Sequence, residues 1–302
     1  MFQVATHFYQ QFTQNVAMLL TQKGGKLAGT VRTGSHSGTG AQVVQQIGTM
    51  QPTENLGRLQ DTPLTDIPTA QRWVFPTDWD VGFMIDEQDK LRMLLDPTSP
   101  YTMSVVNAMQ RAQDEVILRA FYAASPTGTN GGSTTAFPAG QQVGVGVGGA
   151  SSNLNVAKLR EAKKRLMAAG VDIDAEPIYA AITASDHDAL LNEIEVKSSE
   201  FNSKPVLVDG KVSSFLGINF IHVEFTNTAY SAATRAAMLT GGNRAIPVWV
   251  PSGMYLGTWK NLQVQITPRP DKRYAVQVYA TQTLGATRVE EQRVVQIAAT
   301  GA

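Results

Sequence analysis

The side chains that could do chemistry are gathered in a few places. Gly144-Val145-Gly146-Val147-Gly148-Gly149 has the spacing of a dinucleotide-binding loop, where glycines let backbone amides reach a pyrophosphate at a helix N-terminus. That chemistry needs a strand before the first glycine, a helix opening at the last, and an acid about twenty residues on for the ribose. Here an uncharged Gly/Ser/Thr/Pro stretch precedes the glycines, the helical pattern starts several residues late, and Asp172 and Asp174 come too far along. The run therefore reads as a flexible low-complexity loop, and a nucleotide-binding enzyme built on Gly144–Gly149 is a distant alternative.

The other candidates weaken in the same way. Asp186-His187-Asp188 offers three ligand atoms, but neighbours at a helix start point in different directions, and capping accounts for both aspartates. Asp86-Glu87-Gln88-Asp89 could serve acid–base work or a hard cation, yet no glycine-bearing calcium loop surrounds it, and a solvated acidic segment is expected. Lys158, Arg160, Lys163, Lys164 and Arg165 could touch phosphate, but no aromatic interleaves with them, so a solvated helix face is the reading. Gly34-Ser35-His36-Ser37-Gly38 has His where a nucleophile elbow needs Ser. His7, His36, His187 and His222 are scattered, and there is no cysteine. That removes disulfides, thiolate zinc sites and cysteine nucleophiles. No catalytic constellation, cofactor or metal is expected, which favours a structural or binding protein.

Composition points the same way. The chain has 302 residues, with 25 basic and 25 acidic side chains. Zero net charge argues against a globally basic nucleic-acid binder. Charged residues make up only 17%, below the roughly 25% of ordinary domains; such a surface is poorly defended against association. No apolar run is long enough to span a bilayer, the first residues have no secretory pattern, and the soluble interior of a cell is the expected compartment. Charge is also segregated. Residues 1–53 have no acid, 61–100 have Asp61, Asp66, Asp78, Asp80, Asp86, Glu87, Asp89 and Asp96 against three bases, and Ser125–Ala157 has no charge. Such blocks suggest one segment meeting another, within a chain or between copies.

The elements that must position these groups follow from periodicity. Val4, Phe8, Phe12, Val16 and Leu19/Leu20 predict an amphipathic helix ending near Gly24-Gly25. Leu27–Thr33 and Ala41–Gly48 read as a long hairpin with its tip at 34–40. Pro52, Pro63, Pro68 and Pro76 keep 51–80 extended. Tyr101–Ala124 is the best helix, with Val105, Met109, Ala112, Val116 and Ala120 on one stripe. Asn155–Ala169 is a second helix, Pro177–Thr183 a buried strand, and Ser185 to Asp188 the capping box of a third helix. Val206–Val208, Ile218–Phe225, Ala245–Val250, Leu262–Thr267 and Tyr274–Thr283 read as strands. The class is α+β. Trp73, Phe75, Trp79, Phe83, Trp249, Tyr255 and Trp259 are expected as core or interface anchors.

In this order the segments resemble a tailed-bacteriophage major capsid protein of the Hong Kong 97 fold. The likeness rests on Phe8–Gln22 (FYQQFTQNVAMLLTQ) with the GGKLAGTV turn, and on the extended run Arg58-Leu59-Gln60-Asp61-Thr62-Pro63 through Arg72, Asp86, Asp89 and Asp96-Pro97. It continues through the helix with Arg111, Asp114 and Ile117, then Leu159–Ala169, Pro177–Thr183 and the helix at Ser185. The resemblance implies an N-terminal arm at 1–25, an extended loop at 26–85, a peripheral domain at 86–154 and 241–302 with spine helix 101–124, and an apical domain at 155–240. It implies self-assembly through hexamers and pentamers into an icosahedral virion head around double-stranded DNA, assembled in the host bacterial cytoplasm. Portal and scaffolding proteins, with a possible decoration protein, are its implied partners; no membrane is. Arg32, Arg58, Asp61, Arg72, Asp78, Trp79 and Asp86 are the inter-subunit contact candidates. The lysine–asparagine cross-link of some members has no placeable triad here, and none is expected. An encapsulin-type nanocompartment shell is the alternative.

Overall fold

The computed structural model describes residues 24–52, 54, 64, 66–85, 98–193 (side chains from Thr102) and 212–301. The helix expected at the N-terminus, the strand at 206–208 and the Asp86–Asp89 group lie outside them. A 3-10 turn at Ala28–Thr30 leads into β1 (Arg32–Ser35) and β2 (Ala41–Ile47); β3 (Thr69–Val74) and β4 (Thr77–Ile85) follow. Helix α1 spans Thr98–Tyr122, with Pro100 in its first turn, where a missing N–H costs nothing. Then come β5 (Ser125–Thr127), β6 (Ser133–Thr135), β7 (Gln142–Val143), α2 (Val156–Ala168), β8 (Ile178–Ile182) and α3 (Ala184–Asn192). The remainder is β9 (Ser214–Phe215), β10 (Ile218–His222), α4 (Ala232–Ala237), β11 (Leu239–Thr240), β12 (Asn243–Trp249), β13 (Met254–Arg269), β14 (Ala275–Arg288) and β15 (Val294–Ala299).

The strands form three sheets: β1-β13-β14-β4, β7-β15-β12-β8-β10-β9 with β11 added to β12, and β2-β3-β5-β6. The expected α+β class holds. The second sheet is covered on both faces, and the strand period of two sorts its residues. From β8, Ile178, Ala180 and Ile182 enter a core shared with Leu159, Ala162 and Leu166 of α2; Ala181 and Tyr179 enter the opposite core with Ile117, Leu118 and Phe121 of α1. Trp249, fully buried, stacks 4.7 Å from Phe121 and donates its indole N–H to Thr30 O. Burial of each such side chain stabilises by about 1.5–3 kcal/mol.

Helix α1 continues past that core. Its Val105 and Met109 pack on Val278 and Ala280 of β14, so one helix spans the cores of two sheets. Only a helix this long, about 37 Å, can do so.

The expected hairpin is corrected. β1 pairs parallel with β13 (Arg32 opposite Tyr255), whereas β2 pairs antiparallel with β3 (Ala41 opposite Val74). The turn at 36–40 passes the chain from one sheet to another, because β13 already offers β1 an edge. The loop expected at 125–152 is corrected too: it holds β5, β6, β7 and two 3-10 turns. Positive φ at Gly128, Asn130 and Gly131 folds the backbone tightly there, and Trp73 donates to Gly128 O at 2.8 Å. The α3 cap lies two residues earlier than expected. Thr183 caps and Asp186 answers from N3, because Asp186 points inward rather than outward.

Candidate assembly surfaces

The proposed contact residues do not come together in one place. Arg58, Asp61 and Asp86 lie outside the described residues. Arg32 is half-exposed, with its guanidinium 3.8 Å from Glu176. Asp78 is exposed on β4 and accepts from the Thr283 hydroxyl at 2.6 Å. Trp79 packs against the Val105/Met109 core, with the Arg119 guanidinium 5.6 Å from its ring centroid.

Arg72 is buried at 4% exposure inside its own subunit. Its guanidinium donates to both oxygens of Glu291 at 2.6 and 2.7 Å, to Val289 O at 2.9 Å and to the Thr135 hydroxyl at 3.1 Å. One nitrogen, Nη2, takes both carboxylate oxygens, while Nε and Nη1 reach Val289 O and Thr135; only a guanidinium offers donors in all three directions. The same carboxylate lies 3.9 Å from Arg288, which donates to Phe121 O and Ala123 O and so closes the C-terminus of α1. Burial pushes Arg288 down to about 10, opposed by Glu291. This clamp fixes the β2–β3 pair to the body. Sequence reading named Arg72 alone; Arg288 and Glu291 carried no local pattern to mark them.

Beyond the clamp, β2 and β3 overhang a cleft of roughly 890 Å³ against residues 289–293, with Arg32 at its rim. The overhang is apolar at the end of β2: Ile47 is 71% exposed and Met50 54%.

A second buried network ties α1 to its neighbours. Asp114 accepts the backbone amides of Leu27 at 3.1 Å and Lys26 at 3.3 Å. Burial raises its pKa, and those amides only partly offset this. Beside it, Glu115 accepts the Ser231 hydroxyl at 2.5 Å and the Thr234 hydroxyl at 2.6 Å. Burial would raise its carboxyl, but hydrogen bonds from Ser231 and Thr234 outweigh that and leave it below its ordinary value.

Several of the chemically suggestive side chains have partners within the fold. A strand does precede the glycine run, contrary to expectation, but α2 opens only at Val156. Val147 N–H bonds Gly144 O and Gly149 N–H bonds Gly146 O, so two of the loop's amides are turned inward. Asn155 caps α2 by accepting from Lys158 N at 2.8 Å. Lys158 is not on a solvated face: it is fully buried and donates to the carbonyls of Ser152, Asn153 and Ala298. Asp186 is likewise buried, paired with Arg244 at 2.7 Å. His187 and His222 lie 5.4 Å apart between ring centroids, with His187 Nε2 accepting Val212 N–H. Among the described residues, no three His, Asp or Glu side chains converge on a metal position, and no helix is long and apolar enough to cross a membrane.

Comparison with known proteins accounts for a fold with this much internal wiring. The chain superposes on the mature capsid of bacteriophage PhiM1 with a TM-score of 0.71, at 10% identity, covering 96% of this chain and 91% of that one. The acid-stable capsid of Helicobacter pylori bacteriophage KHP30 matches at 0.69 and 10% identity, covering 95% and 93%. The capsid of cyanophage Pam1 matches at 0.67 and 12%, covering 96% of both chains. No curated protein sequence matches. At these identities the likeness shows a common fold, that of the Hong Kong 97-like shell proteins. The family model for phage capsid protein, however, matches residues 4–300. By that match across nearly its whole length, the chain belongs to the phage capsid protein family.

Proposed function

We propose that this capsid protein assembles with copies of itself, as hexamers and pentamers, into an icosahedral head enclosing double-stranded DNA. The observation that carries this reading is the apolar end of the β2–β3 overhang. Ile47 and Met50 are exposed beyond the Arg72–Glu291 clamp, and a monomer gains nothing by exposing them. A second copy that covered them would bury the apolar centre a stable interface needs.

In this reading residues 1–25 are an arm and 26–85 the loop that reaches the neighbour. Residues 86–154 and 241–302, with α1, form the peripheral part, and 155–240 the apical part. The apical stretch shares its sheet with β12 and β15 from the peripheral stretch, which would keep the two parts from moving independently. Arg32, Asp78, Arg58, Asp61 and Asp86 are the charges proposed to meet the neighbour, while Arg72 and Trp79 act by holding the loop in place. Charge on the DNA side would act without sequence preference. Portal, scaffolding and decoration proteins are proposed as further partners, with the host cytoplasm as the place of assembly. The protein acts as a wall and not as a catalyst.

Electron microscopy of the purified chain, alone and with its scaffold, tests this. Closed shells, rings of five or six, or tubes are expected. A chain that remains monomeric under both conditions overturns the reading. Shells that hold cargo protein and exclude DNA would replace it with the nanocompartment alternative.

A further inference from the structure

The capping box at Thr183 and Asp186 fixes where α3 starts, and so which of its side chains face the neighbouring hairpin. His187 and Leu191 stand four residues apart, on one face of the helix. Leu191 packs against buried Val212 and Val156, together with Phe215 and Phe220 of the β9–β10 hairpin. His187 reaches the same segment through a hydrogen bond: its Nε2 accepts the backbone N–H of Val212 at 3.2 Å. From there the chain enters β9, at the edge of its sheet, and turns back into β10 through Leu216 and Gly217, both at positive φ.

An amide N–H can only donate, so Nε2 must offer its lone pair, and the ring is neutral with its proton on Nδ1. A proton on Nε2 would turn the acceptor into a second donor, and the bond would be lost. The charges on the surrounding elements do not offset that loss. On α3, Asp186 points inward to Arg244, and Asp188, the next residue, lies on a different side of the helix. Beyond β10, Glu224 accepts from Ala184 N and from the Thr226 hydroxyl. Lys26, which donates to His222 O, is a cation, as is Lys158 of α2, held by its three carbonyls. β9 brings no charge. β10 ends in His222, whose ring centre is 5.4 Å from that of His187, so a charge on one imidazole disfavours a charge on the other.

We propose that His187 is a pH-sensitive latch. While neutral it holds the Val212 end of the β9–β10 hairpin to α3, and it lets go as pH falls through the imidazole range, from about 8 to about 5. The sign follows from the bond: a contact that needs the neutral ring stabilises at high pH and is lost as pH falls. The opening is local. The amide of Val212, a residue only 3% exposed, loses its acceptor, and β9 loses its hold at one end. β10 stays paired along β8 from Ile218 to His222. Release of β9 therefore bares the other edge of β10, so acid makes a strand edge available that is covered at neutral pH. This inference concerns the single chain and does not depend on shell formation.

In the full, unassembled chain, deuterium exchange of the amides at 212–220 is measured at about pH 8 and about pH 5, each relative to the intrinsic chemical rate. Protection at the lower pH is expected to be about tenfold weaker, the worth of one lost hydrogen bond. His187→Gln places an amide oxygen, which accepts at any pH, near the Nε2 position and should abolish the difference; His222→Gln should keep it. Equal protection at both pH values in the wild type would overturn the proposal, as would a difference that persists in His187→Gln. A second measurement does not rely on a variant folding. In the wild-type chain with isotope-labelled histidine, nuclear magnetic resonance at about pH 8 should find the His187 proton on Nδ1. A proton on Nε2 there would also overturn it.

Discussion

Arg72 Nη2 donates to both carboxylate oxygens of Glu291 at 2.6 and 2.7 Å across 219 residues of sequence, one residue on the overhanging strand β3 and the other beside β15. Both sides of the pair are largely removed from water, and Val289 O and Thr135 complete the donor's partners. The pair locates the overhang relative to the body. The cost of disturbing it depends on which half is removed.

Arg72→Met leaves Glu291 desolvated beside only Arg288, and is expected to destabilise the chain by about 3 kcal/mol. Arg72→Lys should recover only part of that, since one ammonium cannot also reach Val289 O and the Thr135 hydroxyl. Urea unfolding of the two variants and of the Arg72→Met/Glu291→Gln double variant checks this. The double variant should cost less than the sum of its single changes.

Asp114 and Glu115 are neighbours with opposite pH behaviour. The Asp114 pKa is raised by burial, so its stabilising contribution is fullest below its ordinary 3.8 and is lost as pH rises through the raised value. The Glu115 pKa is lowered, so its contribution is present above the ordinary 4.5 and is lost as pH falls through the lowered value. Melting temperatures of Asp114→Asn and Glu115→Gln across the acid range should show this. The wild-type advantage over the first shrinks with rising pH, whereas that over the second grows.

Gly285 of β14 lies against the end of β3, where a Cβ would overlap the carbonyl oxygen of Phe75, the next residue, and press on Val74. Both partners are backbone or core, so neither can move aside cheaply. Gly285→Ala is expected to destabilise by about 2 kcal/mol. Thermal unfolding of the variant reads this directly; a neutral result would mean that β14 and β3 are less closely packed.

Arg32 is over half-exposed and only 3.8 Å from Glu176, a weak ion pair within the subunit. Arg32→Glu should leave the melting temperature within about 2 °C. If Arg32 meets an acidic neighbour, the same change should abolish shells under the electron microscope, as should Asp78→Lys. Normal shells from both variants would remove these residues from the proposed interface.

Much of the architecture was legible from the sequence because it depends on local repetition. The stripe through Val105, Met109, Ala112, Val116 and Ala120 gave α1 to within a few residues at each end, and the uninterrupted apolar run at 178–182 gave β8, buried on both faces. Glycine and proline placement marked where elements stop, because backbone sterics act over one or two residues. Residue order was also enough to suggest the capsid family. Partner choice was not legible. β1 and β2 look like the arms of one hairpin, but an edge offered by β13, more than two hundred residues away, separates them. Lys158 reads as one more surface base, yet the carbonyls of Ser152, Asn153 and Ala298 enclose it. Arg72 reads as a contact for a neighbour, and Glu291 takes its guanidinium from within. A charged side chain's role is set by whatever the fold places within about 4 Å of it. Those neighbours are distant in sequence, so only the tertiary structure could decide which charges are held inside the chain and which remain free for another copy.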